Sequence, residues 1–265
     1  MKNIIVTGAY GGMGKAVVNK LALNGFYVYA LDINVENIHP NVYPIKVDLT
    51  DQSSVQNAFD KISSLTDKIF AIIHLAGIYK LNSLVEIDEV EFKKALDVNL
   101  LGAYRVNKTF LPLLEKNSRI IITTSELAPL DPLPFTSIYS ITKTALDSYA
   151  FALKMELQLV DINVSILRPG AVDTGLLGDS TTALNNFCEN TKLYPVNSKK
   201  FKDIVNKVEA RKISTQKIAD KIYKIVNAKK PKIIYKINRN PLLLLLNILP
   251  KRTKTWIIKM ILKNK

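Results

Sequence analysis

A single cysteine, Cys188, stands among 265 residues, with 2 histidines and 1 tryptophan. One thiol excludes an internal disulfide and a cysteine-built metal site, as in a chain kept in a reducing compartment. His39 and His74 are too few and too far apart in sequence for a zinc site, so no metal is expected. Long hydrophobic runs are missing too. The densest, Leu242 to Leu246 extended by Ile248 and Leu249, falls well short of the about 20 residues that span a bilayer. Met1-Lys2-Asn3 leads directly into Ile4-Ile5-Val6 and a glycine turn, too short an apolar run for an export signal, so a cytoplasmic location is expected. With 10 Gly, 11 Pro, 48% hydrophobic and 23% charged residues, collagen-like, disordered and disulfide-stapled classes are excluded.

Acidic residues are scarce in one part only. Met1 to Thr191 carries 16 Lys+Arg against 20 Asp+Glu, net −4, whereas Lys192 to Lys265 carries 21 against 3, net +18, which together give the formal +14. A mildly acidic body therefore bears an intensely basic end, and an anionic partner is expected there rather than for the whole chain.

What is present is an alternation. Ile4-Ile5-Val6, Tyr27 to Leu31, Tyr43 to Val47, Ile69 to Leu75, Arg119 to Thr124 and Ile162 to Leu167 are short, continuous and rich in β-branched residues, as strands buried on both faces are. Between them the spacing predicts helices over Gly14 to Asn24, Ser53 to Ser64, Val90 to Glu115 and Ile138 to Leu159. That order implies a parallel sheet with helices on both faces. A last helix, Ser214 to Asn227 with Ser214 as N-cap, and a strand, Lys232 to Tyr235, close it. Residues 175–212 read as an irregular polar insertion, expected to be a lid over a site, with Leu176, Leu177 and Leu184 lining the pocket.

The first strand runs into Thr7-Gly8-Ala9-Tyr10-Gly11-Gly12-Met13-Gly14, which opens a helix. Glycines at 8, 12 and 14 permit a tight turn, close approach of backbone to a pyrophosphate, and close packing of helix on sheet. Asp32 follows Gly14 by 18 residues, at the end of the second strand, where a carboxylate accepts from ribose hydroxyls. It would repel a 2′-phosphate, and the turn holds no arginine to neutralise one, so NAD is favoured over NADP, with Lys15 the one residue placed to soften that preference. Asp48-Leu49 would hold the adenine edge, or Asp48 would cap the next helix. In Tyr139-Ser140-Ile141-Thr142-Lys143, a tyrosine and a lysine four apart share one helix face, and an ammonium beneath a phenol lowers its pKa towards general acid or base work.

On these motifs the chain resembles the short-chain dehydrogenase/reductase superfamily, in its TGxxxGxG and YxxxK branch, from Met1 to about Tyr235. Asp48-Leu49, Ala76-Gly77, Asn99 in Asp97-Val98-Asn99, Ser125, and Arg168-Pro169-Gly170 with Thr174 match the family's order. The resemblance implies a Rossmann-type doubly wound, seven-stranded parallel sheet in order 3-2-1-4-5-6-7 over residues 1–239, with residues 240–265 as a basic amphipathic helical extension. It implies that Tyr139 exchanges the proton of an alcohol or carbonyl oxygen and that Lys143 holds the nicotinamide ribose and depresses the Tyr139 pKa. Ser125 would hydrogen-bond the reacting oxygen, and Asn99 would position the water joining Lys143 to solvent. Gly8, Tyr10, Gly11, Gly12, Met13 and Gly14 would cradle the pyrophosphate, with Asp32, Asp48, Leu49, Ala76 and Gly77 along the cofactor. Pro169, Gly170, Val172 and Thr174 would seat the carboxamide end. Hydride transfer itself belongs to the cofactor. A homodimer through the helices bearing Asn99 and Tyr139 is implied as well.

Three features depart from the pattern or extend it. His74-Leu75-Ala76-Gly77 stands where the family shows Asn-Asn-Ala-Gly, and His74 is expected to be a structural substitute rather than a ligand. Glu126 is expected to be a solvated carboxylate, and Pro129, Pro132 and Pro134 to stiffen one pocket wall. Beyond Asn240, two short helices punctuated by Pro241 and Pro250 are expected, the second with Trp256, Ile257, Met260 and Ile261 on one stripe flanked by Lys251, Arg252, Lys254, Lys259 and Lys263. Basic helices with Trp, Ile and Leu lie in anionic membrane interfaces, here the inner face, while packing against the body is the competing expectation. Nucleic acid fits less well, because the lysines alternate with large aliphatics instead of stacking aromatics. The extension resembles that of retinol, steroid and lipid-ketone dehydrogenases, which implies a hydrophobic alcohol or ketone. The rival function is a non-catalytic nucleotide sensor or membrane-associated scaffold that keeps the fold; the joint presence of Asn99, Ser125, Tyr139 and Lys143 argues against it.

Overall fold

The β-branched runs pair side by side because each can bury both faces. The computed structural model describes residues 1–209 and 211–263. In chain order the elements are β1 (Lys2–Thr7), α1 (Gly12–Leu23), β2 (Phe26–Asp32), β3 (Val42–Lys46), α2 (Gln52–Ser63), β4 (Ile69–His74), α3 (Glu89–Leu96) and α4 (Gly102–Phe110). They continue with β5 (Leu114–Thr123), α5 (Ser137–Leu157), β6 (Asn163–Pro169), β7 (Val172–Asp173), α6 (Gly175–Asn190), α7 (Pro195–Glu209), β8 (Ile213–Ser214), α8 (Thr215–Asn227), β9 (Ile234–Ile237), α9 (Pro241–Ile248) and α10 (Lys251–Leu262). Seven strands form one parallel sheet in the order β3-β2-β1-β4-β5-β6-β9, the doubly wound order expected.

Alternate residues of each strand feed opposite cores. Ile5, Ile72, Ile120 and Ile122 join one buried cluster with residues of α2, α4 and α5, while Ile4, Val6, Ile73 and Ile121 join the other with residues of α1 and α8. Burial on both sides is why these strands are continuous rather than alternating in polarity. The chain builds outward from β1 in one direction through β2 and β3 and in the other through β4, and this reversal of strand order leaves a crevice at the carboxyl ends of β1 and β4, where ligands bind in such sheets.

Several expectations shift. The single helix expected over Val90 to Glu115 is interrupted: α3 ends in a π-helical turn, Asp97–Leu101, before α4, and Pro112 ends the run in a short 3-10 turn so that β5 starts at Leu114. The last strand lies two residues later than expected, at Ile234–Ile237. Ser214 is the N-cap of α8 but its side chain makes no capping bond. Asp51, not Asp48, caps α2, accepting from the Ser53 amide at 2.8 Å. The insertion after Gly175 is helical rather than irregular, since α6 and α7 bury Leu184, Phe187 and Phe201 with Leu81, Phe135 and Leu262 in a third, smaller cluster. Its centre is Phe135, whose ring lies 4.9 Å from that of Phe187 and 5.4 Å from that of Phe201.

The extension forms the two expected helices and docks on the body. Lys254 is buried rather than a flanking surface charge: its Nζ donates to Asp131 Oδ2 at 2.5 Å and to Asn247 Oδ1 at 3.0 Å. Ile258 and Leu262 face the third cluster, whereas Trp256, Met260 and Ile261 are exposed, as are Leu242, Leu245 and Ile248 on α9. Ile257 is only partly exposed. Among the described residues no helix is long and apolar enough to cross a membrane.

Candidate active site

The glycine turn is set by close approach. Gly8 takes φ +65°, and a Cβ there would stand 2.5 Å from the Ala76 amide nitrogen, so β1 and the segment after β4 meet only through glycine. At Gly14 a Cβ would fall 1.9 Å from the Gly8 carbonyl oxygen. Gly11 is the N-cap of α1, with no side-chain cap and no acid in the first turn, so the amides of the helix start carry no competing partner. A pyrophosphate fits this bare, positively polarised end. Asp32, at the tip of β2, accepts from the Tyr10 amide through Oδ2 at 2.9 Å, which locks the carboxylate to the turn. Lys15 is engaged by Glu36 at 2.6 Å. Asp48 folds back on Thr50, accepting from its amide at 2.8 Å and its hydroxyl at 2.7 Å; these bonds hold its carboxyl below the ordinary range. Leu49 is buried, and its carbonyl accepts from Arg105 at 3.0 Å.

A cavity of about 190 Å³ opens at the carboxyl ends of the central strands, and Met13, Gly77, Ser125, Tyr139, Lys143, Pro169, Gly170, Val172 and Thr174 all line it. Gly8, Tyr10, Gly11, Gly12, Gly14, Asp32, Asp48, Leu49 and Ala76 lie off this cavity, at the turn and the outer strand ends. Ser125 lies two residues beyond the end of β5, and Tyr139 faces it from α5, with the serine hydroxyl placed to lower the phenol's pKa. Lys143, one turn on, is buried with its Nζ 5.9 Å from the Tyr139 ring centre and donating to the Thr123 carbonyl at 3.3 Å. Burial alone pulls the Lys143 ammonium down to about 8.

The expected fall in the Tyr139 pKa is not what the geometry produces. Burial raises the phenol above its ordinary value near 10, the Glu126 carboxylate adds to the rise, and the Ser125 hydrogen bond offsets only part of it. Lys143 spends a donor on Thr123 instead of on the phenol, so its charge does not reverse the cost of burial.

Asn99 sits in the π-helical turn and ties three elements together. Its Oδ1 accepts from the Ile78 amide at 2.7 Å, and its Nδ2 donates to the Ile78 carbonyl and to Thr142 Oγ1, both at 3.0 Å. Insertion of the extra residue in that turn is what aims the amide between β4 and α5. Gly77 packs tightly beneath it, since a Cβ would come within 3.2 Å of Asn99 Oδ1 and 3.4 Å of Lys143 Nζ.

His74 is buried and its Nε2 donates to Asn107 Oδ1 at 2.8 Å, while Asn107 donates to the Tyr149 hydroxyl at 3.0 Å. Desolvation brings its pKa to about 4, so the ring is neutral and structural. Glu126 corrects an expectation: it is buried, not solvated, and its Oε2 accepts from the Asn240 amide at 2.6 Å. Leu184 belongs to the third cluster and not to the cavity; the side chains of Leu176 and Leu177 lie outside the described residues. The leucines that line the cavity are Leu75, Leu127 and, from α9, Leu243. Pro129, Pro132 and Pro134 line neighbouring cavities rather than this one. Sequence reasoning also missed Tyr79, whose ring packs edge-on against Tyr139 at 4.6 Å, and the partly buried pair of Arg168 and Asp147 at 2.6 Å behind Thr124. An aromatic just after Ala76-Gly77 was the available signal for the first, and nothing local signalled the second.

Sheet order and glycine cradle together define the class: a dinucleotide-binding α/β protein with a hydroxyl pair and a lysine at the carboxyl edge of its sheet. A family profile described as short chain dehydrogenase matches residues 2–185. The 3-amino-tetrahydro-pyrrolizinone reductase of Xenorhabdus hominickii is 33% identical over 205 residues, 73% of this chain and 71% of that protein. The 3-ketodihydrosphingosine reductase of Bacteroides thetaiotaomicron is 26% identical over 264 residues, covering 96% of this chain and 92% of its own. A solved short chain dehydrogenase family protein from Francisella tularensis superposes with a TM-score of 0.76 at 26% identity, over 90% of this chain and 98% of that one. The chain belongs to the short-chain dehydrogenase/reductase family, whose members are oxidoreductases acting on CH–OH and C=O groups with NAD(P)(H).

Proposed function

We propose that the protein interconverts an apolar secondary alcohol and its ketone, with NAD(H) favoured over NADP(H). The observation that carries this reading is that Ser125, Tyr139 and Lys143 line one cavity walled by Leu75, Ile78, Leu127, Val172 and Leu243. Bound nicotinamide dinucleotide supplies or accepts the hydride at the substrate carbon. Ser125 donates to the carbonyl oxygen and orients it. Tyr139, a phenol kept protonated by its burial, delivers its proton to that oxygen in reduction and takes it back in oxidation. Lys143, brought to about 8, is the group best matched to neutral pH for returning the proton to Tyr139, and it would hold the nicotinamide ribose. Asn99 holds the floor beneath Lys143 through Ile78 and Thr142. Gly8 to Gly14 would hold the pyrophosphate, and Pro169, Gly170, Val172 and Thr174 the carboxamide.

Preference for NAD is supported by Asp32 locked at the turn and by Lys15 already neutralised by Glu36. The apolar substrate is supported by the cavity wall and by the relative named for 3-ketodihydrosphingosine, which is similar over nearly the whole chain. Steady-state assays of cyclic, steroidal and long-chain ketones against small sugars, with Tyr139→Phe alongside, test the reading. Turnover of the apolar ketones should fall by about 10²-fold or more in the variant while NADH binding persists. Turnover confined to small sugars, or unaffected by the substitution, refutes it.

Outward-facing Trp256, Met260 and Ile261, beside Lys251, Arg252, Lys259 and Lys263, support peripheral attachment to an anionic lipid surface. Exposed Tyr104, Ile141, Phe151 and Met155 on α4 and α5 support a homodimer through those helices.

A further inference from the structure

Glu126 follows Ser125 directly, so its backbone position is set by the strand end that presents the serine. Its own amide donates to the Pro169 carbonyl at 2.8 Å, fixing it to β6. Its side chain points away from solvent, although a carboxylate out of water is costly unless bonded. The bond it makes is to the extension: Oε2 accepts from the Asn240 amide at 2.6 Å, 114 residues away in sequence. Asn240 is in turn the N-cap of α9, its Oδ1 accepting from the Leu242 amide at 2.9 Å. One turn of that helix therefore starts at the carboxylate, and Leu243 is delivered into the cavity that Ser125, Tyr139 and Lys143 line. A buried acid beside a catalytic pair, spent on a main-chain amide of a distant helix, reaches the proton transfer derived above only through its charge on Tyr139.

We propose that Glu126 is a positioning residue that latches α9 across the active site, and that Leu243, held there by the latch, limits how bulky a substrate can enter. This rests on the oxidoreductase reading for its substrate arm only. Gly170 accommodates the latch from the other side, since a Cβ there would stand 2.8 Å from Glu126 Oε1 and 1.9 Å from the Asn238 carbonyl oxygen. The far end of α9 is pinned separately, with Asn247 accepting from the Asp131 amide and from Lys254, both at 3.0 Å, so loss of the latch frees the helix start without releasing α10.

The test has two independent arms on the full chain. Amide hydrogen exchange compares the wild type with Glu126→Ala and Glu126→Gln. Exchange at residues 242–245 should speed up by about tenfold or more in the alanine variant and stay near wild type in the glutamine variant, whose side-chain carbonyl can still accept from Asn240. Equal protection of 242–245 in all three proteins overturns the latch, and this readout stands even if no alcohol or ketone is turned over. In the second arm, kcat/KM is measured for 2-decalone and for cyclohexanone. Leu243→Ala and Glu126→Ala should each raise the decalone-to-cyclohexanone ratio by about tenfold, through KM, and the double variant should go no further than the singles, because both act on one wall. Glu126→Gln should restore the wild-type ratio. Unchanged ratios, or additive effects in the double variant, overturn the assignment of Leu243; absence of turnover in the wild type instead overturns the oxidoreductase reading.

Discussion

His74 is expected to make the protein less stable at mildly acidic pH, and the size of the effect follows from its burial. The ring sits at the end of β4, directly before the Leu75-Ala76-Gly77 segment that meets Gly8, and donates to Asn107. Its folded-state pKa is about 4 against 6.5 for a solvated histidine. A depressed folded-state value means that the unfolded chain binds the proton first, so the contribution is complete above pH 6.5 and is lost as pH falls towards 4. A difference of about 2.5 in pKa, at about 1.4 kcal/mol each, corresponds to about 3 kcal/mol in all, of which about 2 kcal/mol is gone by pH 5. His74→Gln keeps an amide donor at a similar reach and does not titrate. Urea unfolding followed by far-UV circular dichroism at pH 7 and pH 5 should therefore show the wild type losing about 2 kcal/mol more than the variant, since effects of the carboxylates are common to both. Equal losses in the two proteins would refute the reasoning and place a charged histidine, or water, at this position.

Replacing Asp32 by alanine should lower kcat/KM with NADH by about tenfold and leave NADPH no worse, because a charged acceptor of ribose hydroxyls is lost while repulsion of a 2′-phosphate is relieved; an unchanged cofactor ratio would remove Asp32 from cofactor choice. Asp147→Ala leaves the partly buried Arg168 guanidinium without its two-pronged carboxylate partner, and should cost about 2 kcal/mol, seen as a melting temperature lower by about 6 °C. Co-sedimentation with phosphatidylserine vesicles should fall at least tenfold in the Trp256→Glu, Met260→Glu double variant, and high salt should weaken the wild type's binding; equal recovery of both proteins defeats the membrane reading.

Periodicity alone carried the sheet and its order of elements, because strands such as Ile4-Ile5-Val6 and Ile120-Ile121-Ile122 must bury both faces and have no other stable environment. Gly8 and Gly14 were legible for a related reason: a turn that brings backbone within van der Waals contact admits no side chain, so the constraint is written into single positions. The spacing of Tyr139 and Lys143 was equally local, since four residues on a helix bring two side chains to one face. Local pattern failed where the deciding partner was remote. The helix break at Asp97–Leu101 is set by packing of Asn99 between Ile78 and Thr142, and α6 exists because Leu184 and Phe187 find Phe135 and Phe201.

Glu126 and Lys254 show the division most plainly. Each reads in sequence as a charge belonging in water, and each is buried because a partner more than a hundred residues away, Asn240 for one and Asp131 for the other, offers a hydrogen bond that replaces hydration. The same holds for the Tyr139 phenol, whose neighbours along the helix forecast a lowered pKa and whose burial raises it. Sequence by itself determined the strands, the cradle and the residues available for chemistry, all of which follow from contacts within a few positions. Only the tertiary structure decided how deeply those residues are buried, which charge faces which, and that a leucine from the far end of the chain lines the cavity, because desolvation and long-range pairing depend on what the fold brings together.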